Sequence, residues 1–419
     1  MRVLLKMKHL LIIILERDSA TGICVNNVAR SFVKQGCKVD ILSYKTDKEE
    51  ESIEGITRHY IPAKFFLRPV YSGGSHLFVI KSASVLFSLQ VALFSLFCWP
   101  FNSPMFSSKL NREVRKLYQK YEYDAIIPVY TQIDPLIASY KLKKKYGYVK
   151  YFPYFLDSLS GGPTPRLLSK SRKIAMGLKW EKYLLSKADG IVLMKASEKH
   201  HQQYSSKMPY YPIMKFLDLP MLIEPSLKHD CRVRENDIIA VTYVGSMPLN
   251  IRNPYYGFNV LSQIDNIKIN VVGPIPQNEY YLKYCSEHSI NLIGKVPHSE
   301  IAKYVEESDV LLNFGNTVSE MTPSKIFEYM SYGKPIVSFS AIKEDSSIPY
   351  LEQYSDSCII FEYETMESSI NSIRLFIMKQ RESRISFDVI RKQFELNTPE
   401  NFTKYILEAL AGTDEISGR

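Results

Sequence analysis

The sequence is poor in cysteine and shows no metal-binding pattern. Its six cysteines (Cys24, Cys37, Cys98, Cys231, Cys285 and Cys358) are scattered over 419 residues, with no C-x-x-C pair and no partner histidine spacing. This argues against a disulfide framework or a zinc site and for free thiols in a reducing compartment. No D-x-D suited to a metal and no His/Asp/Glu cluster stands out, so neither an obligatory metal nor a cofactor is expected. Internal repeats and low-complexity tracts are missing too. A secretory leader is not expected. The apolar run 9–15 (HLLIIIL) is only seven residues long and stops at Glu16, Arg17 and Asp18, which suits a buried first strand.

What remains is an ordinary globular mix, 45% hydrophobic and 23% charged. Single cores stop growing at about 250–300 residues, so two α/β domains are expected. Charge divides the chain in the same way. Residues 1–235 hold 37 basic and 20 acidic residues, a net +17, and the remainder carries −8. A basic half suits an anionic surface, either lipid headgroups or nucleic acid, or is simply a set of solvated Lys-rich helices. Residues 83–101 (ASVLFSLQVALFSLFCWPF) carry no charge. They read as a core or inter-domain helix, an in-plane membrane helix, or a span at the lower limit of length, since a span needs about 20 apolar residues. At helical spacing Leu86, Leu89, Leu93, Phe94 and Phe97 share one side.

Strand 9–15, helix 23–35 ended by Gly36, and strand 38–43 make one βαβ unit, which implies a parallel sheet. Further strands are expected at 124–130, 150–156 and 189–194, with a Lys-rich helix at 171–187 and a linker at 220–237. A second α/β cycle then begins. Strands 238–244, 268–272, 290–293 and 309–313 run into Gly245, Gly273, Gly294 and Gly315. Ligands of open parallel sheets bind beyond the carboxyl ends of the strands, where backbone must approach closely. Helix 323–332, strand 335–339 and a Pro-started helix at 397–410 follow.

The stretch TPSKIFEYMSYGKPIV, 322–337, carries the most chemistry. Thr322 reads as an N-cap, Pro323 as the first helical residue, and Gly333 as the closing turn. Ile326, Phe327 and Met330 make the buried stripe. A helix opened in this way offers free N–H groups to a diphosphate. Ser324 and Glu328 share a face four residues apart, so a hydroxyl near phosphate and a carboxylate one turn deeper suit a nucleotide. A capped structural helix with a solvated polar side would look the same. Asp157, in PYFLDSLSGG, follows a strand and precedes a Gly-rich turn, where an Asp also serves as a local cap.

This stretch resembles the signature of retaining GT-B glycosyltransferases (glycosyl transferases group 1, family 4-like), in which a P-S-K turn leads to E-(A/Y)-M-x-x-G-x-P. TYVGSM, NVVGPI, NLIGKVPHSEI and ESDVLLNF precede it in the family's order, and DSATGICVNNVARSFVKQGCKVDIL and WEKYLLSKADGIVLM resemble N-domain segments. The resemblance implies two Rossmann-like domains facing across a cleft: an acceptor-side domain at 1–230, a nucleotide-sugar domain at 236–395, and a C-terminal helix and tail, 396–419, returning to the first domain. It implies that Glu328 binds the donor ribose and that Thr322, Pro323 and Ser324 face the diphosphate. Gly294, Lys295 and Val296 would border the base, and Gly273 would line the same pocket. Gly245, Ser246 and Arg252 would lie on the phosphate side. Thr21 and Gly22 of the first loop, and Asp157, would face the sugar. Relatives place an Arg and a Lys after the first strand of this domain. Here Tyr256 stands at the Lys position, and Lys325 is the stand-in beside Arg252. Glu320 and Glu328 have the family's E-x7-E spacing, although Glu320 sits in an unusual loop.

The implied activity is transfer of a sugar from a nucleotide-diphosphate donor, UDP favoured, to a glycan or lipid-linked acceptor with retention, in surface polysaccharide or glycoconjugate synthesis. The implied place is the cytoplasm, peripheral on the cytoplasmic membrane face. A nucleotide-sugar epimerase of the same architecture and an inactive nucleotide-sugar-binding subunit are the rivals. Nucleic-acid binding is not expected, because no motif or stacking platform accompanies the positive charge.

Overall fold

The computed structural model describes residues 7–16, 19–46, 53–71, 77–100, 103–162, 164–165, 167–225, 238–319 and 321–417. It divides into two units, Met1–Pro220 with Pro399–Arg419, and Met221–Thr398.

The first unit holds β1 (His9–Ile13), β2 (Lys38–Tyr44), β3 (Ile56–Ile61), β4 (Ala125–Tyr130), β5 (Lys150–Tyr151), β6 (Tyr154–Phe155), β7 (Ile191–Met194) and β8 (Met214–Leu217). They form one parallel sheet in the order β3-β2-β1-β4-β6-β7-β8, with β5 beside β4. Strands covered on both faces need unbroken apolar runs, which HLLII and AIIPVY supply. The single strand expected at 150–156 is two short ones. Pro153 has no N–H for the ladder, and only its carbonyl pairs, accepting from Val192 N at 2.9 Å. The first helix also starts earlier than expected, at Ala20, because Ser19 caps it by accepting from Gly22 N at 3.2 Å. Thr21 and Gly22 therefore lie in its first turn and not in a loop.

The last helix, Pro399–Ser417, packs on the first helix, Ala20–Lys34. Phe402, Ile406 and Leu410 enter the core of the first sheet, and Ser31 Oγ meets Thr403 Oγ1 at 2.9 Å. Three large apolar side chains buried at about 1.5–3 kcal/mol each explain why this helix belongs to the first unit.

The second unit holds β9 (Ile239–Val244), β10 (Ile267–Val272), β11 (Asn291–Gly294), β12 (Val310–Phe314), β13 (Ile336–Ser340) and β14 (Ser357–Phe361). The parallel order is β11-β10-β9-β12-β13-β14. Renumbered within the unit this is 3-2-1-4-5-6, the doubly wound order whose ligand crevice opens beyond the ends of the first and fourth strands. Those two strands are β9 and β12.

Of the stretch 83–101, read from sequence with a buried helix as one option, residues 83–97 belong to a helix Leu77–Phe97, several of whose side chains are exposed; residue 101 lies outside the described residues. Leu86, Leu89 and Leu93 are 49%, 55% and 61% exposed. Among the described residues no helix is long and apolar enough to cross a membrane. The five cysteines among the described residues are free thiols; Cys231 lies outside them.

Candidate functional site

The ends of β9, β10 and β11 are laced together by backbone. Gly245 N donates to Val272 O and Gly273 N to Gly294 O, both at 2.8 Å. A Cβ on Gly273 would run into the Gly245 carbonyl, and its φ of +143° is one that side-chain-bearing residues rarely adopt. The strand-end glycines thus let two loops touch. The result is a floor of backbone at the crevice.

Beyond it stands the short helix Lys325–Ser331. Pro323 is buried before it, and Ile326, Phe327 and Met330 anchor it in the unit's interior. Gly333 closes it with φ +63° and donates to Met330 O at 2.7 Å. The N-cap is Ser324, not Thr322, and its side chain makes no capping bond. The Thr322 hydroxyl is instead held by Ser346, donating to Oγ at 2.9 Å. Tyr329 ties the helix to β9, its hydroxyl accepting from Val244 N at 2.8 Å and donating to Val244 O at 3.2 Å. On the same helix Lys325 Nζ meets Glu328 Oε2 at 2.5 Å, with the two side chains only 21% and 18% exposed. The Gly245 position lies beside Lys325, its would-be Cβ 3.8 Å from Lys325 Cγ.

Arg252 completes the cluster. Its Nε donates to Asn316 Oδ1 at 2.8 Å, and one Nη to Tyr243 OH at 2.8 Å and Ser246 O at 2.9 Å. Tyr243 OH in turn donates to Ser246 O at 2.6 Å. Burial raises the Tyr243 pKa, with Arg252 opposing, so the hydroxyl stays a donor. Asn316 is fixed by its own bond to Met321 O at 2.7 Å. The guanidinium is held in one orientation at the end of β9, beside the floor. A fixed cation, a second cation paired with a carboxylate, and backbone amides can together hold a diphosphate and a ribose.

Gly245, Ser246, Gly273, Arg252, Lys325 and Glu328 therefore converge. Ser324 opens the same helix. Lys295 is exposed and Val296 half-buried just past β11, at the sheet edge. Tyr256, at the family's Lys position, turns away: its hydroxyl meets Glu364 O at 2.9 Å and Ser369 Oγ at 2.8 Å. Glu320 lies outside the described residues.

Gly22 and Asp157 belong to the first unit. Asp157 is exposed in the turn after β6. Behind that turn lies a buried polar cluster that the sequence did not disclose. Glu181 Oε1 accepts from Ser160 N at 2.8 Å and Oε2 from Tyr210 OH at 3.3 Å. Lys173 Nζ donates to Ser160 O at 2.8 Å and to Gly162 O. His201 bridges Ser158 Oγ at 2.8 Å and Ser205 Oγ at 2.9 Å. Burial pushes Glu181 up to about 7 and His201 down to about 3. The only hint in sequence was the charged WEKYLL helix beside an apolar strand. Sequence reading also missed Tyr243, Asn316 and Tyr329; an Asn directly after a strand-end Gly was the one available signal for Asn316.

Two parallel-sheet Rossmann-like units define an α/β fold matching structures of GT-B glycosyltransferases. Residues 239–360, which hold β9 to β13 and the whole cluster around Arg252, Lys325 and Glu328, match a family model described as Glycosyl transferases group 1. Among similar solved structures is sucrose-phosphate synthase from Thermosynechococcus elongatus, 13% identical, TM-score 0.68, covering 98% of this chain and 100% of that one. Another is HepE from Anabaena in complex with UDP, 12% identical, TM-score 0.61, covering 97% and 100%. A third, from Listeria monocytogenes, bears the provisional name UDP-N-acetylglucosamine 2-epimerase, at 11% identity, TM-score 0.55, and 98% and 97% coverage. Among curated proteins none matches this chain.

Proposed function

We propose that this chain is a glycosyltransferase that moves a sugar from a nucleoside-diphosphate donor, UDP favoured, to a glycan or lipid-linked acceptor. One observation carries the reading. The glycine floor, the anchored Arg252 and the Lys325–Glu328 pair converge at the carboxyl ends of β9 and β12, within the stretch that matches the family model. Similarity to a protein solved with UDP supports the choice of base.

In this reading Glu328 accepts hydrogen bonds from the ribose hydroxyls, and Ser324 with the adjoining amides meets the diphosphate. Arg252 and Lys325 neutralise charge on the leaving diphosphate as the bond from the anomeric carbon to the phosphate oxygen breaks. The acceptor oxygen bonds to that carbon on the same face, and its proton passes to the departing phosphate oxygen. No protein nucleophile is needed. Preorganised charge in a fixed site does the work, and one such donor is commonly worth about 2.7–4 kcal/mol of barrier. With two cations in place the reaction runs without a bound metal. The basic first unit takes the acceptor, the protein acts in the cytoplasm at the membrane face, and the products are surface polysaccharide or glycoconjugate.

A thermal-shift panel of UDP, GDP and their sugars in metal-free buffer tests the donor site. Ligand at a hundred times its dissociation constant adds about 2.7 kcal/mol. No shift with any nucleoside diphosphate, with or without metal, removes the reading. The likeness to the Listeria protein keeps an epimerase as the second reading. An altered sugar formed from donor alone identifies it, whereas donor binding with no turnover identifies an inactive subunit.

A further inference from the structure

Several of the described apolar side chains of the helix Leu77–Phe97 face outward. Val79, Leu86, Leu89 and Leu93 are 44%, 49%, 55% and 61% exposed. At 100° per residue these four fall within one third of the helix circumference, while Ala83, on the flank turned inward, is 7% exposed. A helix on a water-facing surface has the opposite polarity. The short helices Phe65–Leu67 and Arg68–Tyr71 pack against it and extend the surface, with Phe65 71% and Val70 42% exposed. Isolated exposed leucines are ordinary; a continuous stripe of them marks a partner.

The surrounding charge says which partner. Residues 62–121 contain eight Lys and Arg and one acid, Glu113; of the eight, Lys64 is buried in an ion pair with Asp134 and does not count toward the surface. Arg68 and Lys109 are exposed, and the Arg68 guanidinium lies 5.6 Å from the centre of the Phe65 ring. An apolar stripe flanked by an exposed Arg68, within a stretch of strongly positive sequence charge, is the pattern of a helix lying in the headgroup plane of an anionic membrane. A second copy of the chain fits poorly. The two like-charged surfaces would repel, and the stripe covers only about two heptads where a stable coiled coil needs about three to four.

We propose that the Leu77–Phe97 helix, with the two short helices packed on it, is an in-plane docking surface for an anionic lipid leaflet. This deepens the membrane part of the functional reading and does not depend on the transfer reaction. The surface brings the first unit to a lipid-borne acceptor.

Vesicle flotation of the full chain tests it, with phosphatidylcholine vesicles made with and without phosphatidylglycerol, at low and high salt. Binding is expected to phosphatidylglycerol vesicles and to weaken with salt. The triple variant Leu86→Ser, Leu89→Ser, Leu93→Ser is expected to lose about a hundredfold or more in partition, given the contribution of each inserted apolar carbon. The variant Arg68→Glu, Lys109→Glu is expected to lose about tenfold or more on anionic vesicles only. These side chains are exposed, so both variants keep the parent's circular dichroism. No binding to anionic vesicles overturns the proposal. So does equal, salt-independent binding to both vesicles, or sedimentation showing a dimer that the leucine variant abolishes. A UDP thermal shift on the same preparations reports on the donor site alone, so either reading can fail while the other stands.

Discussion

Replacing Glu181 by Gln should make the first unit more stable at alkaline pH. The carboxyl is 1% exposed, and burial pushes its pKa to about 7, against the pull of Ser160, Tyr210 and Lys173. A folded pKa above the unfolded value means that the fold prefers the proton. The stabilisation is present below about pH 4.5 and is lost as pH rises through about 7. A rise from 4.5 to about 7 corresponds to a loss of about 3 kcal/mol. Glutamine keeps an oxygen for the Ser160 N–H and removes the charge. Glu181→Gln should therefore match the parent at pH 4 and exceed it by up to about 3 kcal/mol at pH 8. The assay is urea unfolding followed by tryptophan fluorescence. Both tryptophans, Trp99 and Trp180, lie in the first unit, so the signal is specific to it. Equal stability at every pH, or a weaker variant at pH 8, refutes the reasoning.

Two further outcomes concern the donor side. Gly273→Ala places a Cβ against the Gly245 carbonyl on a backbone with φ +143°; a scanning calorimeter should show the second unit losing about 1–3 kcal/mol, and UDP binding should weaken with it. Arg252→Ala removes a cation held by Asn316, Tyr243 and Ser246; turnover in a transfer assay should fall about 10²–10³-fold, with a smaller loss in donor affinity.

Most of the second unit was legible in the sequence because its determinants are local. Four of its six parallel strands, β9 to β12, are apolar runs stopped by a glycine, and the helix after Pro323 announces its start, buried stripe and closing Gly333 within a dozen residues. The first unit was less legible where tertiary contacts decide. Strands β3 and β8 were not anticipated, since ITRHYI and MKFL are edge strands with mixed polarity, and in the second unit the edge strand β14, SCIIF, was missed as well. Thr322 has the chemistry of an N-cap, but Ser346, far along the chain, takes its hydroxyl. The partners of Arg252 sit nine and 64 residues away, at the ends of two neighbouring strands. Spacing rules do not reach that far. The apolar run at 83–101 was visible, but whether its leucines face in or out depends on what packs on the other side.

Calorimetric titration of UDP into the parent and into Glu328→Gln tests the donor site most directly. Glu328 stands one turn into a helix pinned by Tyr329 to β9, with its carboxylate beside Lys325. Exchanging the charged acceptor for an amide should cost about 1.5–3 kcal/mol, a roughly ten- to a hundred-fold loss of affinity, while Glu320→Gln changes it far less. Parent-like UDP binding by Glu328→Gln, with Glu320→Gln the weakened variant, or no UDP binding by the parent, would contradict the account.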